Sequence, residues 1–585
     1  MSKLKTRLSF ILAIIIQFGA VALPLRHSDR TIKITVAIKN SSSDSIYLGT
    51  SPGAVDKAGQ VGFEMPLETA RYVKLKVKNT EILLFAEPRK DIYISFDERN
   101  IDGSIQFKGK NSTVNAFLYK QRDVSQRFNQ YFNSQINTYL SRLPEKRFVA
   151  KMDSLQESFL APLDKLVKDR PNVSKTFLRE YKTDIKLTFL SFLADYPLIH
   201  QKNTGKTVEL SQSSQDRLDA VNLNDPSLHK YDGYQGLIKN YLYTEISKEL
   251  ADKKYAESDN QRLDAGFAVI KRAFTNKEVY DKVLHGFLLN HIENLGVKNI
   301  EDNVADFNEL CQNNSFKEEI NSLYKEALKE RQSHLIRTYK EVDGYELDAH
   351  IFLPDSLEKD KKYPVIAMFH GGSFYEGKPD WFFASCEQYA KRGWVAVAVE
   401  YRVADRHGNL LPDAIADGKS LVRYLRANAE ELHIDTSKVM ATGNSAGASI
   451  ALALATLDGR LDEPTESKRI SSRPNAVMAN AALADLTGSG HNWWHRHYSA
   501  VFIEAVSPLH QVREGLPPML LVHGSKDNAV DISSVRQFAE QANELGSRVA
   551  FYELAGAPHM IWRIPYFSRQ VEKHRQEFIE KLGWE

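Results

Sequence analysis

The sequence predicts a multidomain protein: an N-terminal β-sandwich-like domain, a central all-α domain and a C-terminal α/β domain with a mostly parallel sheet. Three observations predict it. Apolar residues alternate at period two as far as about Thr113, and from there to about Gln332 they recur every three or four residues. Beyond that point strands alternate with helices to the end of the chain. At 585 residues the chain exceeds one core, and usual domain sizes suggest roughly three or four.

Composition narrows the class. A hydrophobic content of 42% and a charged content of 26% are those of a soluble globular protein. A net charge of +2 gives no electrostatic reason to expect nucleic acid or an acidic membrane as partner. The two cysteines, Cys311 and Cys386, are far apart and make neither a disulfide framework nor a thiolate metal site. They read as buried free thiols.

Residues 1–22 read as a signal peptide. Lys3, Lys5 and Arg7 precede the apolar run "FILAIIIQFGAVA", which closes on the small-residue pattern Ala20-Val21-Ala22. The run is shorter than the roughly 20 apolar residues a spanning helix needs. Cleavage after Ala22 is expected, with no stable membrane insertion afterwards and a periplasmic or secreted product. No cysteine stands near the cleavage site to carry a lipid.

Residues 23–113 alternate in the manner of strands. In "TIKITVAIK", Ile32, Ile34, Val36 and Ile38 share one face, with Lys33, Thr35 and Lys39 on the other. "YVKLKVK", "DIYISF" and "SIQFKG" continue the pattern between turn residues such as Asp102-Gly103. One apolar and one lysine-rich face imply antiparallel sheets wetted on one side, most economically a small β-sandwich. Residues 114–332 change to helical spacing through Val114, Phe117, Leu118, Val124 and Phe128. No His, Asp or Glu there stands at ligand or catalytic spacing, and the aromatic stripes read as core.

The strand segment, with "EILLFAEPRKDIYISF" running into "IQFKGKNSTVNAFL", resembles the amino-terminal β-domain of exported thiol-disulfide proteins of the Bacteroidetes. Their redox activity does not carry over, because this chain has no CxxC.

The chemistry lies in residues 333–585. "YPVIAMFHGG", "WVAVAVEYR", "KVMATG", "PPMLLVHG" and "RVAFYEL" are strands, with amphipathic helical stretches between them. Ser445 falls in "GNSAG", where "KVMATG" turns into an alanine-rich helix. As an isolated serine it reads equally well as a helix N-cap. Its place at a strand-to-helix corner favours a nucleophile, since such a turn lifts a hydroxyl clear of the sheet. A serine hydroxyl needs a base, and a parallel sheet of this kind supplies the acid and then the histidine after later strands. Asp527 follows "PPMLLVHG" and His559 follows "RVAFYEL", so both are expected at the same sheet edge as Ser445. Gly371 and Gly372 of "HGGSF", together with Ala446, are the expected oxyanion-hole donors, with Ser373 a substitute and His370 organising the loop.

In order, "HGGSF", "EYR", "GNSAG", "HGSKD" and "APHM" resemble the α/β-hydrolase superfamily, in the branch of HGG-type, hormone-sensitive-lipase-like esterases. "SPLHQVREGLPPMLLVHGSKDNAV" is similar to acetyl xylan and feruloyl esterase-like members. The resemblance covers about Tyr345 to Glu585 and implies a serine esterase acting on a small-molecule or glycan ester without a cofactor. Asn444 and Ala448 depart from the commoner pattern. His491, His495 and His497 in "SGHNWWHRHYSAVF" lack an accompanying carboxylate or cysteine, so no metal site is expected there. Trp493 and Trp494 either stack on a sugar or aryl acid or pack a cap over the site. Two alternatives stand beside the esterase. One is a prolyl-oligopeptidase-like peptidase, against which the first 335 residues show no propeller-like repeat. The other is a glycan- or partner-binding protein with an auxiliary esterase domain. Nothing in the sequence sets an oligomeric state.

Overall fold

The computed structural model describes residues 31–584 apart from 79, 132–138, 359, 409–410 and 489–497. The expected signal peptide therefore lies outside the described residues. The chain forms two compact units, one holding residues up to 221 with 228–238, the other holding 222–227 and everything from 239 onward.

The first unit opens with β1 (Thr31–Lys39), β2 (Ser45–Leu48), β3 (Ser51–Ala54) and β4 (Gln60–Pro66). It continues with β5 (Arg71–Val77), β6 (Thr80–Ala86), β7 (Ile92–Asp97) and β8 (Gln106–Lys108). These make two four-stranded sheets in the orders β4-β1-β7-β8 and β3-β2-β5-β6. Ile32, Ile34 and Val36 of one sheet and Ile46, Leu75 and Ile82 of the other share a core. One pairing departs from the antiparallel expectation: β1 and β7 run parallel, with Ile34 beside Ile92. Alternation fixes which face of a strand is buried but carries no information about strand direction.

Helices α1 (Ser112–Tyr131), α2 (Glu145–Asp169) and α3 (Lys175–Thr204) follow. Phe85 of β6 packs with Val114, Phe117, Leu163 and Phe177, meeting the Phe177 ring edge-on at 5.2 Å. The Asn115 side chain accepts the Phe85 N–H at 2.7 Å. The change of period near Thr113 thus marks a change of element, while the packing runs straight across it.

In the second unit, α4 (Gln261–Ala273), α5 (Lys277–Asn294), α6 (Glu301–Leu310) and α7 (Asn314–Arg331) precede an eight-stranded sheet. Its strands are β9 (Leu335–Val342), β10 (Tyr345–Phe352), β11 (Tyr363–Phe369) and β12 (Val395–Val399). β13 (Ile434–Asn444), β14 (Ala476–Asn480), β15 (Met519–Gly524) and β16 (Val549–Leu554) complete it. The order is β16-β15-β14-β13-β11-β12-β10-β9. β9, β10 and β12 pair antiparallel at one end, and the remaining pairs are parallel.

β11 and β12 are apolar along their length because both faces of the sheet are covered there. Val365, Ala367 and Phe369 of β11 join one core, and Ile366 and Met368 join another on the opposite face. The covering helices include α8 (Phe383–Lys391), α9 (Leu411–Ala427), α10 (Ala446–Thr456), α11 (Ile532–Glu544) and α12 (Pro565–Leu582). Every residue of α10 is buried, which is why its sequence, "AGASIALALAT", lacks a polar stripe. No described helix is long and apolar enough to cross a membrane.

Candidate active site

Ser445 is the single residue between β13 and α10, with φ 54° and ψ −117°. A non-glycine residue in that region costs on the order of 1–3 kcal/mol and is kept only where its surroundings over-determine it. Its N–H donates to the Asn480 carbonyl at 2.9 Å, tying the corner to the neighbouring strand. The flanking glycines have a steric cause. A Cβ on Gly443 would lie 2.4 Å from the Gly447 carbonyl carbon, and one on Gly447 only 1.9 Å from the Phe369 oxygen. Strand and helix meet backbone to backbone. The N-cap alternative does not describe this serine, whose side chain makes no capping bond. Its departure neighbour, Asn444, accepts an amide hydrogen bond from Asn480 on β14 at 2.8 Å.

The Ser445 hydroxyl instead faces His559, with Oγ 3.0 Å from Nε2. On the far side of the ring, Nδ1 lies 2.6 Å from Asp527 Oδ2. The carboxylate is fully buried, and every group around it is a donor. Oδ1 accepts the Ala529 and Val530 N–H groups at 2.8 and 2.9 Å. Oδ2 also lies 3.0 Å from Nε2 of His523, whose N–H is shared with the Val530 carbonyl at 3.3 Å. Burial pushes the Asp527 carboxyl up, but the bonds from His523, His559 and Val530 outweigh it and hold the group well below the usual carboxylate range. Asp527 is therefore an anion able to fix the His559 tautomer, leaving Nε2 free to take the serine proton.

His523 went unassigned in the sequence, although it stands in "VHGSKD", four residues before Asp527. The signal was a histidine at the end of an otherwise apolar, fully buried strand.

Beside the serine, the chain turns at "HGGSF". Gly371 is so close that a Cβ there would sit 3.6 Å from the Ser445 Cβ. Among the described residues, the N–H groups of Gly371 and Gly372 donate to no protein acceptor. The N–H of Ala446, first in α10, has no intrahelical acceptor either. The Gly371 and Ala446 donors lie beside the serine and, with that of Gly372, are uncommitted, and free donors of this kind are what a developing oxyanion requires. Ser373 is exposed, with φ 58°. His370 stacks on Tyr401 at 4.1 Å, and the Tyr401 hydroxyl donates to the His370 carbonyl at 2.7 Å. These contacts tie His370 and its loop to Tyr401, after β12.

Burial lowers the pKa of His370 to about 4 and, with help from Arg406, those of His291 and His407 to about 3. In the unfolded chain these imidazoles take up protons below about pH 6.5. Between the two limits the unfolded state binds more protons, so stability falls as pH drops. A lower melting temperature at pH 5 than at pH 7 is the expected result; the same value at both would contradict buried neutral histidines.

Two tryptophans that the sequence did not single out frame the site. Trp562 meets the His559 ring edge-on at 5.6 Å, and Trp381 meets His370 at 6.1 Å. The Arg563 guanidinium lies over Trp381, 5.8 Å from its centroid. Trp493, Trp494, His491, His495 and His497 lie outside the described residues. Among the described residues, no three His, Cys, Asp or Glu side chains gather as a metal site.

A strained serine, a histidine relay and uncommitted N–H donors are the parts of an acyl-transfer site, and comparison with known proteins leads the same way. Residues 349–542 match the BD-FAE family model. Esterase LipC of Mycobacterium tuberculosis is 26% identical over 38% of this chain and 62% of its own length. Esterase LipQ of the same organism is 28% identical over 35% of this chain and 52% of its own. The chain thus spans only about half to two-thirds of these relatives. Esterase 2 of Thermogutta terrifontis, solved in its apo form, is 32% identical, with 43% of this chain and 96% of that one covered and a TM-score of 0.41. The C-terminal region is related to carboxylic ester hydrolases and carries an α/β-hydrolase sheet.

Proposed function

We propose that this protein is an exported serine esterase that cleaves carboxylic esters through an acyl-enzyme, with carbohydrate esters of the acetyl or feruloyl type as its substrate class. The observation that carries the catalytic reading is the continuous relay from Ser445 through His559 to Asp527, at 3.0 and 2.6 Å. Ser445 Oγ attacks the ester carbonyl while His559 Nε2 takes its proton, and the carbonyl electrons move onto oxygen. The N–H groups of Gly371, Gly372 and Ala446 receive that oxyanion. His559 then returns the proton to the leaving alcohol. Water repeats the sequence to release the acid and restore Ser445.

The esterase names of LipC and LipQ support ester over amide. The carbohydrate-ester class rests on the resemblance of "SPLHQVREGLPPMLLVHGSKDNAV" to acetyl xylan and feruloyl esterase-like members. Trp562, edge-on to the His559 ring, supplies an aromatic side chain beside the relay, suited to a sugar ring or an aryl acid. Export rests on the charged flank, apolar run and Ala20-Val21-Ala22 pattern. The test is a panel run on protein recovered from the exported fraction, whose N-terminus is expected at Leu23. Acetylated and feruloylated sugars and simple aryl esters should be hydrolysed, and dipeptidyl amides should not. Preferential amide cleavage would refute the esterase reading, and hydrolysis of aryl esters alone would refute the carbohydrate class.

A further inference from the structure

We propose that α5, in the helical segment ahead of the catalytic sheet, is a working part of the esterase: its C-terminal end braces the oxyanion loop. The proposal rests on the ester-hydrolase reading above. It begins from strain. Within six residues the loop holds Gly372 at φ 108°, Ser373 at 58°, Phe374 at 64° and Gly377 at 129°. The glycines adopt such backbone freely, but at Ser373 and Phe374 it persists only where neighbours impose it.

On one side the neighbours belong to the loop after β12. The Ala404 N–H donates to the Phe374 carbonyl at 2.9 Å, and the Asp405 N–H to the Tyr375 carbonyl at 2.8 Å. On the other side the neighbour is the C-terminal end of α5. The Gly377 N–H donates to the Asn294 carbonyl at 2.8 Å, and Lys378 Nζ donates to the Ile292 carbonyl at 3.0 Å. Both acceptors belong to the last turn of α5, whose carbonyls have no intrahelical partner and carry the negative end of the helix dipole. An N–H and an ammonium group are the chemistry that end of a helix attracts.

The contact leads to the donors. A Cβ on Gly377 would lie 2.1 Å from His370 Nδ1, so the position of Gly377 sets that of the imidazole. That nitrogen is in turn 2.8 Å from the Gly371 carbonyl oxygen. The brace itself is anchored. Just past α5, Lys298 pairs with Asp348 of β10 at 2.8 Å and with Glu400, which follows β12, at 2.9 Å. Arg406 donates to the Lys298 carbonyl at 3.3 Å and pairs with Glu400 at 3.1 Å. The family match starts at residue 349 and does not include α5. The helix is an addition to the catalytic sheet that reaches the oxyanion hole from behind.

The test uses the full chain. Lys378→Met removes one of the two α5 bonds, along with the ion pair of Lys378 to Asp380 at 3.1 Å, and Lys378→Arg retains a donor and the charge. With Lys378→Met, kcat on an aryl acetate should fall about tenfold while KM stays within twofold, since an oxyanion contact is made only in the transition state. Affinity for a trifluoromethyl ketone, which adds to Ser445 and places an oxyanion in the loop, should fall by the same factor. Lys378→Arg should recover most of both. Unchanged kcat in folded Lys378→Met, a loss confined to KM, or unchanged ketone affinity would overturn the brace. Should Lys378→Met not fold, hydrogen exchange on the wild type decides. Ketone binding should slow exchange at Gly377 together with residues 291–298, and slowing confined to 370–376 would overturn the proposal. A wild type that neither cleaves esters nor binds the ketone would instead defeat the esterase reading itself.

Discussion

Ser445→Ala is expected to lower kcat for ester hydrolysis on the order of 10⁵- to 10⁶-fold, because serine, histidine and carboxylate act as one unit. The fold should survive. The Ser445 side chain contributes one hydrogen bond, to His559, and its backbone bond to Asn480 remains. Alanine keeps the Cβ that strains a φ of 54°, whereas glycine does not. Ser445→Gly should therefore melt above Ser445→Ala, by about 1 kcal/mol or more in stability, and be equally inactive. Thermal denaturation of the pair, read beside steady-state kinetics on a short-chain aryl ester, checks both statements. Residual activity near that of the wild type would remove Ser445 from the chemistry.

Asp527→Asn is expected to lower kcat about 10³- to 10⁴-fold. The reason lies in the four donors around the carboxylate. Oδ1 accepts two backbone N–H groups, and Oδ2 faces His559 and His523. An asparagine amide must turn its NH₂ toward one of these pairs, so a donor meets a donor whichever way it lies. Turned toward the histidines, it stabilises the tautomer in which Nε2 carries the proton and cannot accept one from Ser445. Turned away, it breaks both backbone bonds and destabilises the loop by about 1–3 kcal/mol. The variant should therefore lose kcat and melting temperature together. A loss of less than tenfold would mean that another carboxylate serves the histidine.

The parallel sheet was legible because its strands are buried on both faces. Runs such as "VIAMF" and "VAVAV" cannot be read as half-wetted strands, and each is followed by a helical stretch. The loop positions of Ser445, Asp527 and His559 followed from that alternation, since parallel strands deliver their following loops to one edge. The Trp381 and Trp562 contacts were not legible. Tryptophan near a catalytic residue in sequence looks the same whether it turns toward the site or away. The parallel pairing of β1 with β7 was hidden for a similar reason, because period two says nothing of direction. The position of α5 was hidden too. Helical spacing shows that Val279, Leu284 and Leu288 are buried, but not that the carbonyls at the helix end receive Gly377 and Lys378.

The central claim is that Ser445 is the nucleophile of an ester hydrolase, and covalent capture tests it most directly. The intact protein is treated with a fluorophosphonate, digested, and the adduct located by mass spectrometry. One phosphonyl group is expected, on Ser445, with the rate of labelling matching the loss of esterase activity and with no adduct on Ser445→Ala. An adduct on another residue, or full esterase activity in protein labelled at Ser445, would contradict it.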